Sequence, residues 1–145
     1  MAGVTGGVIA GICKDIPDAI LGYFLKISRI TFWDYSGTIA LGHRPKVGLE
    51  VITAIFYEVV FSIFIGIIFV YLAPYFKTKR YLLRGAIYGA LVWFFIRAAV
   101  MAFRLEPLID GDIISAVINS LNSIFYGLIL GAIVHYLDKK RQVYN

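Results

Sequence analysis

Four apolar runs, each about the length of a membrane crossing, occupy most of this 145-residue chain. They cover residues 2–25, 49–72, 82–103 and 113–137. A helix needs roughly 20 residues to cross about 30 Å of hydrocarbon, where every backbone amide must find its partner inside the segment. Runs of that length leave little choice of fold: an all-α integral membrane protein, a single domain over 1–145, with four transmembrane helices. The composition agrees, being 60% hydrophobic and 16% charged, whereas a soluble domain averages about 45–50% and roughly 25%. Only the first run is irregular, interrupted by Lys14, Asp15, Pro17 and Asp18. It is not read as a cleaved signal peptide, because it lacks a basic leading region and a small-residue cleavage site.

Lys and Arg in the short connections orient such a bundle. The second connection holds Lys77, Lys79, Arg80 and Arg84 without an acid, and the tail holds Lys139, Lys140 and Arg141. The third connection is acid-rich, with Arg104, Glu106, Asp110 and Asp112. The N- and C-termini are therefore expected on the cytoplasmic side. Tyr71, Tyr75, Phe76, Tyr81 and Tyr136 would form an aromatic belt at that boundary. Basic residues there would also meet anionic lipid headgroups. The first connection, 26–48, fits less well, since it carries Lys26, Arg29, Arg44 and Lys46 yet should be external. Its amphipathic stretch Thr31-Phe32-Trp33-Asp34-Tyr35 suits an interfacial segment, with a re-entrant arrangement as the alternative.

Ionisable side chains inside the apolar runs are the candidate site: Lys14, Asp15, Asp18, Glu58 and Arg97. On insertion scales a charge at the helix centre costs about 2.5–3.5 kcal/mol, so such residues usually face the bundle and mark function. Steps of four residues follow one helix face. They link Gly3, Gly7 and Gly11 to Asp15; Ala54 and Glu58 to Ser62 and Gly66; Gly85, Gly89 and Trp93 to Arg97; and Asn119 and Ser123 to Gly127 and Gly131, flanked by Asn122. Small residues let helix backbones approach closely in lipid. Each stripe is thus expected to pack at one end and turn polar at the other. Lys14 with Asp18 and Glu58 with Arg97 are the expected ion pairs, with Asp15 competing for Arg97 and the two amides filling remaining bonds. Trp93 stands one turn from Arg97, within cation–π reach, and Pro17 should kink the first helix.

The run Arg84-Gly85…Gly89…Trp93-Phe94-Phe95, then Tyr126-Gly127…Gly131, resembles uncharacterised small four-helix proteins of the bacterial inner membrane. That resemblance covers the C-terminal third and implies a multi-pass protein of the bacterial cytoplasmic membrane, with no established activity.

Other chemistry finds little purchase. Cys13 is the lone cysteine, so no intrachain disulfide forms. His43 and His135 supply neither a metal set nor haem ligands. There is no nucleotide loop and no serine–histidine arrangement, so no catalytic residue, metal or cofactor is assigned, and no nucleic-acid partner is invoked. Enzymatic activity is left open and is not the expectation. The expected function is transporter-like or channel-like, through the polar cluster. The alternative is a non-catalytic accessory or assembly subunit of a larger membrane complex, in which buried charges only fix helix register. Partners beyond the lipid bilayer would be further copies of the chain or that complex, and the substrate is unassigned.

Overall fold

A computed structural model of the chain describes residues 1–46, 48–76, 80–109 and 111–143, with side chains to residue 140. Lys77, Lys79 and Asp110, on which part of the orientation argument rests, lie outside those residues, as does the side chain of Arg141. Among the described residues the chain is helix and loop without a strand. Helix α1 (Ala2–Ala19) runs into a π-helical turn (Ile20–Phe24); α2 is Phe32–Leu41; α3 (Leu49–Leu72) ends in a 3₁₀ turn (Ala73–Tyr75). Then come α4 (Tyr81–Ala102), the single turn α5 (Glu106–Ile109) and α6 (Ile113–Val143).

Three of these are long and apolar enough to cross a membrane: Leu49–Tyr75, Tyr81–Ala102 and Ile113–Lys140, with mean hydropathies of 2.4, 1.7 and 1.8. The first apolar run also forms a helix but does not meet that standard, because the eighteen residues of α1 include Lys14, Asp15 and Asp18. Pro17 lies within α1. It offers no N–H to the Cys13 carbonyl, and the helix widens to the π turn three residues later.

Glycine surfaces bring the long helices together in two pairs. In the first, a Cβ added at Gly7 would lie 2.6 Å from the Ser62 carbonyl oxygen, and one at Gly3 would lie 2.8 Å from that of Gly66. In the second, an added Cβ at Gly85 would overlap the Gly127 carbonyl oxygen, and one at Gly127 would overlap that of Gly85. Contact this close is open only to residues with no side chain, and it places carbonyls and Cα–H groups of facing helices against one another. Helix α6 joins the pairs, since Gly6 of α1 fits against Leu130 and Val134. A core of Ala10, Phe69, Tyr88, Tyr126, Leu130 and Val134 fills this half.

The other half is opened by α2. Thr31 and Asp34 form a capping box at its start, and Gly42 (φ +76°) ends it in the left-handed conformation, as helix caps commonly do. Helix α2 does not lie along the outside of the bundle. Its residues Phe32, Asp34, Tyr35, Ser36, Gly37 and Thr38 are buried. Gly37 lies beneath Pro45 and Ala54, while Phe32 and Tyr35 meet Trp93 edge-on at 5.8 and 5.7 Å. The segment is therefore a wedge between α3 and α4. Below it those two helices meet directly, through the Phe69–Tyr88 ring pair and the Tyr88 hydroxyl, which donates to the Ile65 carbonyl at 2.7 Å.

Candidate functional site

The wedge enters the bundle beside the charges of α1. Lys14 Nζ donates to Glu58 Oε1 at 2.6 Å and lies 3.0 Å from Asp15 Oδ1. The Ser36 hydroxyl of α2 donates to the other carboxylate oxygen, Glu58 Oε2. The same ammonium sits 3.8 Å above the centre of the Phe32 ring, on its electron-rich face. Lys14 and Glu58 are each 3% exposed, so three helices share one ion pair that water scarcely reaches.

Asp18 has a different task. Its Oδ2 accepts the Phe32 N–H at 2.6 Å, and its Oδ1 accepts from Asn122 Nδ2 at 3.4 Å. Phe32 is the first residue of α2, so a carboxylate on α1 closes one of the open N–H groups at the start of another helix. The positive end of the α2 dipole favours that placement. Asp34 serves the same end from inside the chain, accepting the Thr31 N–H at 2.7 Å and an Arg44 guanidinium N–H at 2.9 Å.

Around these groups α6 supplies neutral hydrogen-bonding partners. Asn119 Nδ2 donates to the Ile30 carbonyl at 2.9 Å, and the Ser115 hydroxyl accepts the Arg29 N–H at 2.7 Å. The descending segment before α2 is thereby tied to α6 residue by residue. Ser115 also donates to Asp112, at the start of α6, and that bond is the chief reason the Asp112 carboxyl sits below its ordinary range. Further along α6, the Ser123 hydroxyl donates to the Gly89 carbonyl and the Tyr126 hydroxyl to the Ser62 carbonyl, at 2.8 and 2.7 Å.

The expected pairing therefore needs three corrections. Glu58 takes Lys14 and not Arg97, Asp18 takes the α2 amide and Asn122 and not Lys14, and Asp15 lies beside Lys14 and not Arg97. Lys14, Asp15, Asp18, Glu58 and Asn122 do come together, with Asn119 beside them on the Ile30 carbonyl. Arg97 instead donates to the Leu108 and Ile109 carbonyls at 2.9 and 3.4 Å. These are the last carbonyls of α5, where a cation is favoured. Trp93 gives its faces and edges to Phe32 and Tyr35, and the cation over a ring in this half is Lys14. Arg97→Gln is expected to loosen α5 from α4. Losing hydrogen bonds from a charged donor costs about 1.5–3 kcal/mol each, which thermal unfolding of the purified protein in micelles would register as a lowered Tm.

Ser36, Phe32 and Thr31 are members of the site that stripe tracing did not find. The signal was present: Thr31-x-x-Asp34 is a capping-box spacing and Gly42 a C-terminal stop, with ten residues between Thr31 and Gly42. Reading 26–48 as a connection hid them.

An all-helical fold, three helices fit to cross a membrane and an ion pair shielded by protein have the character of a helical membrane protein. Its family can be named more closely. A family of unknown function (DUF6789) matches residues 1–145, and the chain belongs to it. No curated protein and no solved structure matches.

Proposed function

We propose that this is a non-catalytic four-span membrane protein whose buried charges lock a re-entrant helix, α2, into the bundle. One observation carries the proposal: Lys14, Asp18 and Glu58 turn inward and find their partners within the protein. Lys14, Asp18 and Glu58 are 3%, 0% and 3% exposed, while Ile9, Ile12 and Ile16 on the other side of α1 are 43–56% exposed. A helix with an apolar outside and a paired polar inside suits lipid. From Ala2 to Phe24, α1 and its π turn rise about 34 Å at about 1.5 Å per residue, enough to span. In this reading α1 is the fourth span, both termini are cytoplasmic, the membrane is the bacterial inner membrane, and the protein serves as an accessory or assembly subunit.

Transport is the second reading. The observation favouring it is an open cleft of about 300 Å³ whose lining includes Glu58 and Ser36.

Sided cysteine labelling tests the span count. In a Cys13→Ser background, Ala2→Cys and Lys140→Cys are expected to react from one face of sealed vesicles and Lys46→Cys from the other. Labelling of Ala2→Cys and Lys46→Cys from the same face would remove α1 from the spans and overturn the four-span assignment.

A further inference from the structure

The Lys14–Glu58 pair is closed toward α1 but not toward α3. On that side a cleft of about 300 Å³ lies between α2, α3 and α4. That is at the small end of the roughly 300–1,000 Å³ typical of small-molecule sites. Residues with four aromatic rings line it, Phe32, Tyr35, Tyr57 and Phe61, and Glu58 and Ser36 complete the lining at its buried end. Tyr57 and Phe61 are 47% and 39% exposed, and Ile39 at the rim is 72% exposed. The opening is thus to the side of the bundle, where the neighbours of α3 are lipid if that helix spans.

Charge selects what such a cleft would hold. The groups around it are three carboxyls, those of Asp15, Asp18 and Glu58, against the Lys14 ammonium and the Arg97 guanidinium near Tyr35, which leaves one negative charge in excess. An anion entering beside Glu58 would meet excess negative charge in a low-dielectric setting, where like charges repel most strongly. A cation would meet the opposite, together with ring faces that attract it. The Lys14 ammonium already shows this preference, lying over the Phe32 ring.

We propose that the cleft between α2, α3 and α4 is a binding site for a lipophilic organic cation, its ammonium among the Phe32, Tyr35, Tyr57 and Phe61 rings beside Glu58 and its apolar part toward lipid. The site goes beyond the locking role of the charges and needs α3 and α4 to lie in lipid. Sided labelling of Arg80→Cys and Glu106→Cys, expected from the Lys140→Cys face and the Lys46→Cys face respectively, tests that requirement separately from ligand binding.

Trp93 reports on the cleft from behind, in contact with the Phe32 and Tyr35 rings. A Trp33→Phe variant leaves it as the single tryptophan. In phosphatidylcholine nanodiscs, the probe is a hexadecyl quaternary ammonium with a nitroxide on its head. The controls carry the same chain and nitroxide with a neutral or a sulfate head, and quenching is compared at equal membrane mole fraction. The ammonium probe is expected to reach half-quenching at a mole fraction about tenfold below the neutral one, with the sulfate probe weakest. Glu58→Gln should erase the preference for the ammonium. Ala40→Phe fills the cleft from an exposed position outside the ion pair. It should abolish saturable quenching by every probe while leaving the Tm unchanged. Equal quenching by the three heads, or saturable quenching that survives Ala40→Phe, would overturn the assignment.

Discussion

Replacing Lys14 with Met is expected to destabilise the protein more than any other single change to a charged residue. Glu58 would keep the Ser36 hydroxyl but lose the cation paired with it, with Asp15 close by on the same side. Breaking a buried ion pair by removing one partner costs about 3–5 kcal/mol, because the remaining charge is stranded. Exchanging both partners for apolar residues of similar volume is often neutral or stabilising. Lys14→Met combined with Glu58→Met should therefore recover most of the Tm lost by either single variant in micelles. If the double variant is no more stable than Lys14→Met alone, the pair is not what holds α1, α2 and α3 together. The double variant also separates the two functional readings. A lock tolerates a well-packed apolar replacement, whereas a pathway that uses Glu58 does not.

A comparable loss is expected from the smallest possible change on α4. Gly85→Ala adds one carbon, but that carbon would overlap the Gly127 carbonyl oxygen, and the facing glycine is equally close to the Gly85 carbonyl. No rotamer relieves a contact with backbone, so the helix axes must separate. Overpacking usually costs about 1–3 kcal/mol. Here the separation would also stretch the Ser123–Gly89 hydrogen bond one turn away, so the upper end of that range or beyond is expected. Gly42→Ala is the useful contrast. Its φ is +76° and nothing lies within 4 Å of an added Cβ, so its cost is conformational only, about 1–2 kcal/mol. Thermal unfolding of the two variants side by side would rank steric against conformational cost. A Gly85→Ala protein as stable as Gly42→Ala would contradict the close α4–α6 contact.

Hydropathy alone located the long helices, because a run such as 49–72 has no other way to satisfy its backbone in lipid; α3 occupies Leu49–Leu72. Four-residue steps also place Glu58 on the same helix face as Ser62 and Gly66, and all three are buried in α3. What such steps do not contain is the rotation of one helix against the next. Glu58 and Arg97 face inward from their own helices, yet α2 lies between α3 and α4 at that level, and each charge finds a nearer partner. Lys14 and Asp18 are one turn apart, but Asp18 is claimed by the Phe32 amide, a donor that exists only because the chain turns back after residue 24. Local spacing could suggest α2 itself, through Thr31, Asp34 and Gly42. It could not suggest that the helix is swallowed by the bundle, because that depends on the gap other helices leave.

The partner of Lys14 lies 44 residues further along the chain. The ammonium and two carboxyls of α1 thus have their place only against helices that come after them in the sequence. Holding such a charge unmatched in hydrocarbon costs several kcal/mol. The seat of α1 is complete only with α3 in place, so the contacts of the earlier helix depend on a segment that follows it in the chain.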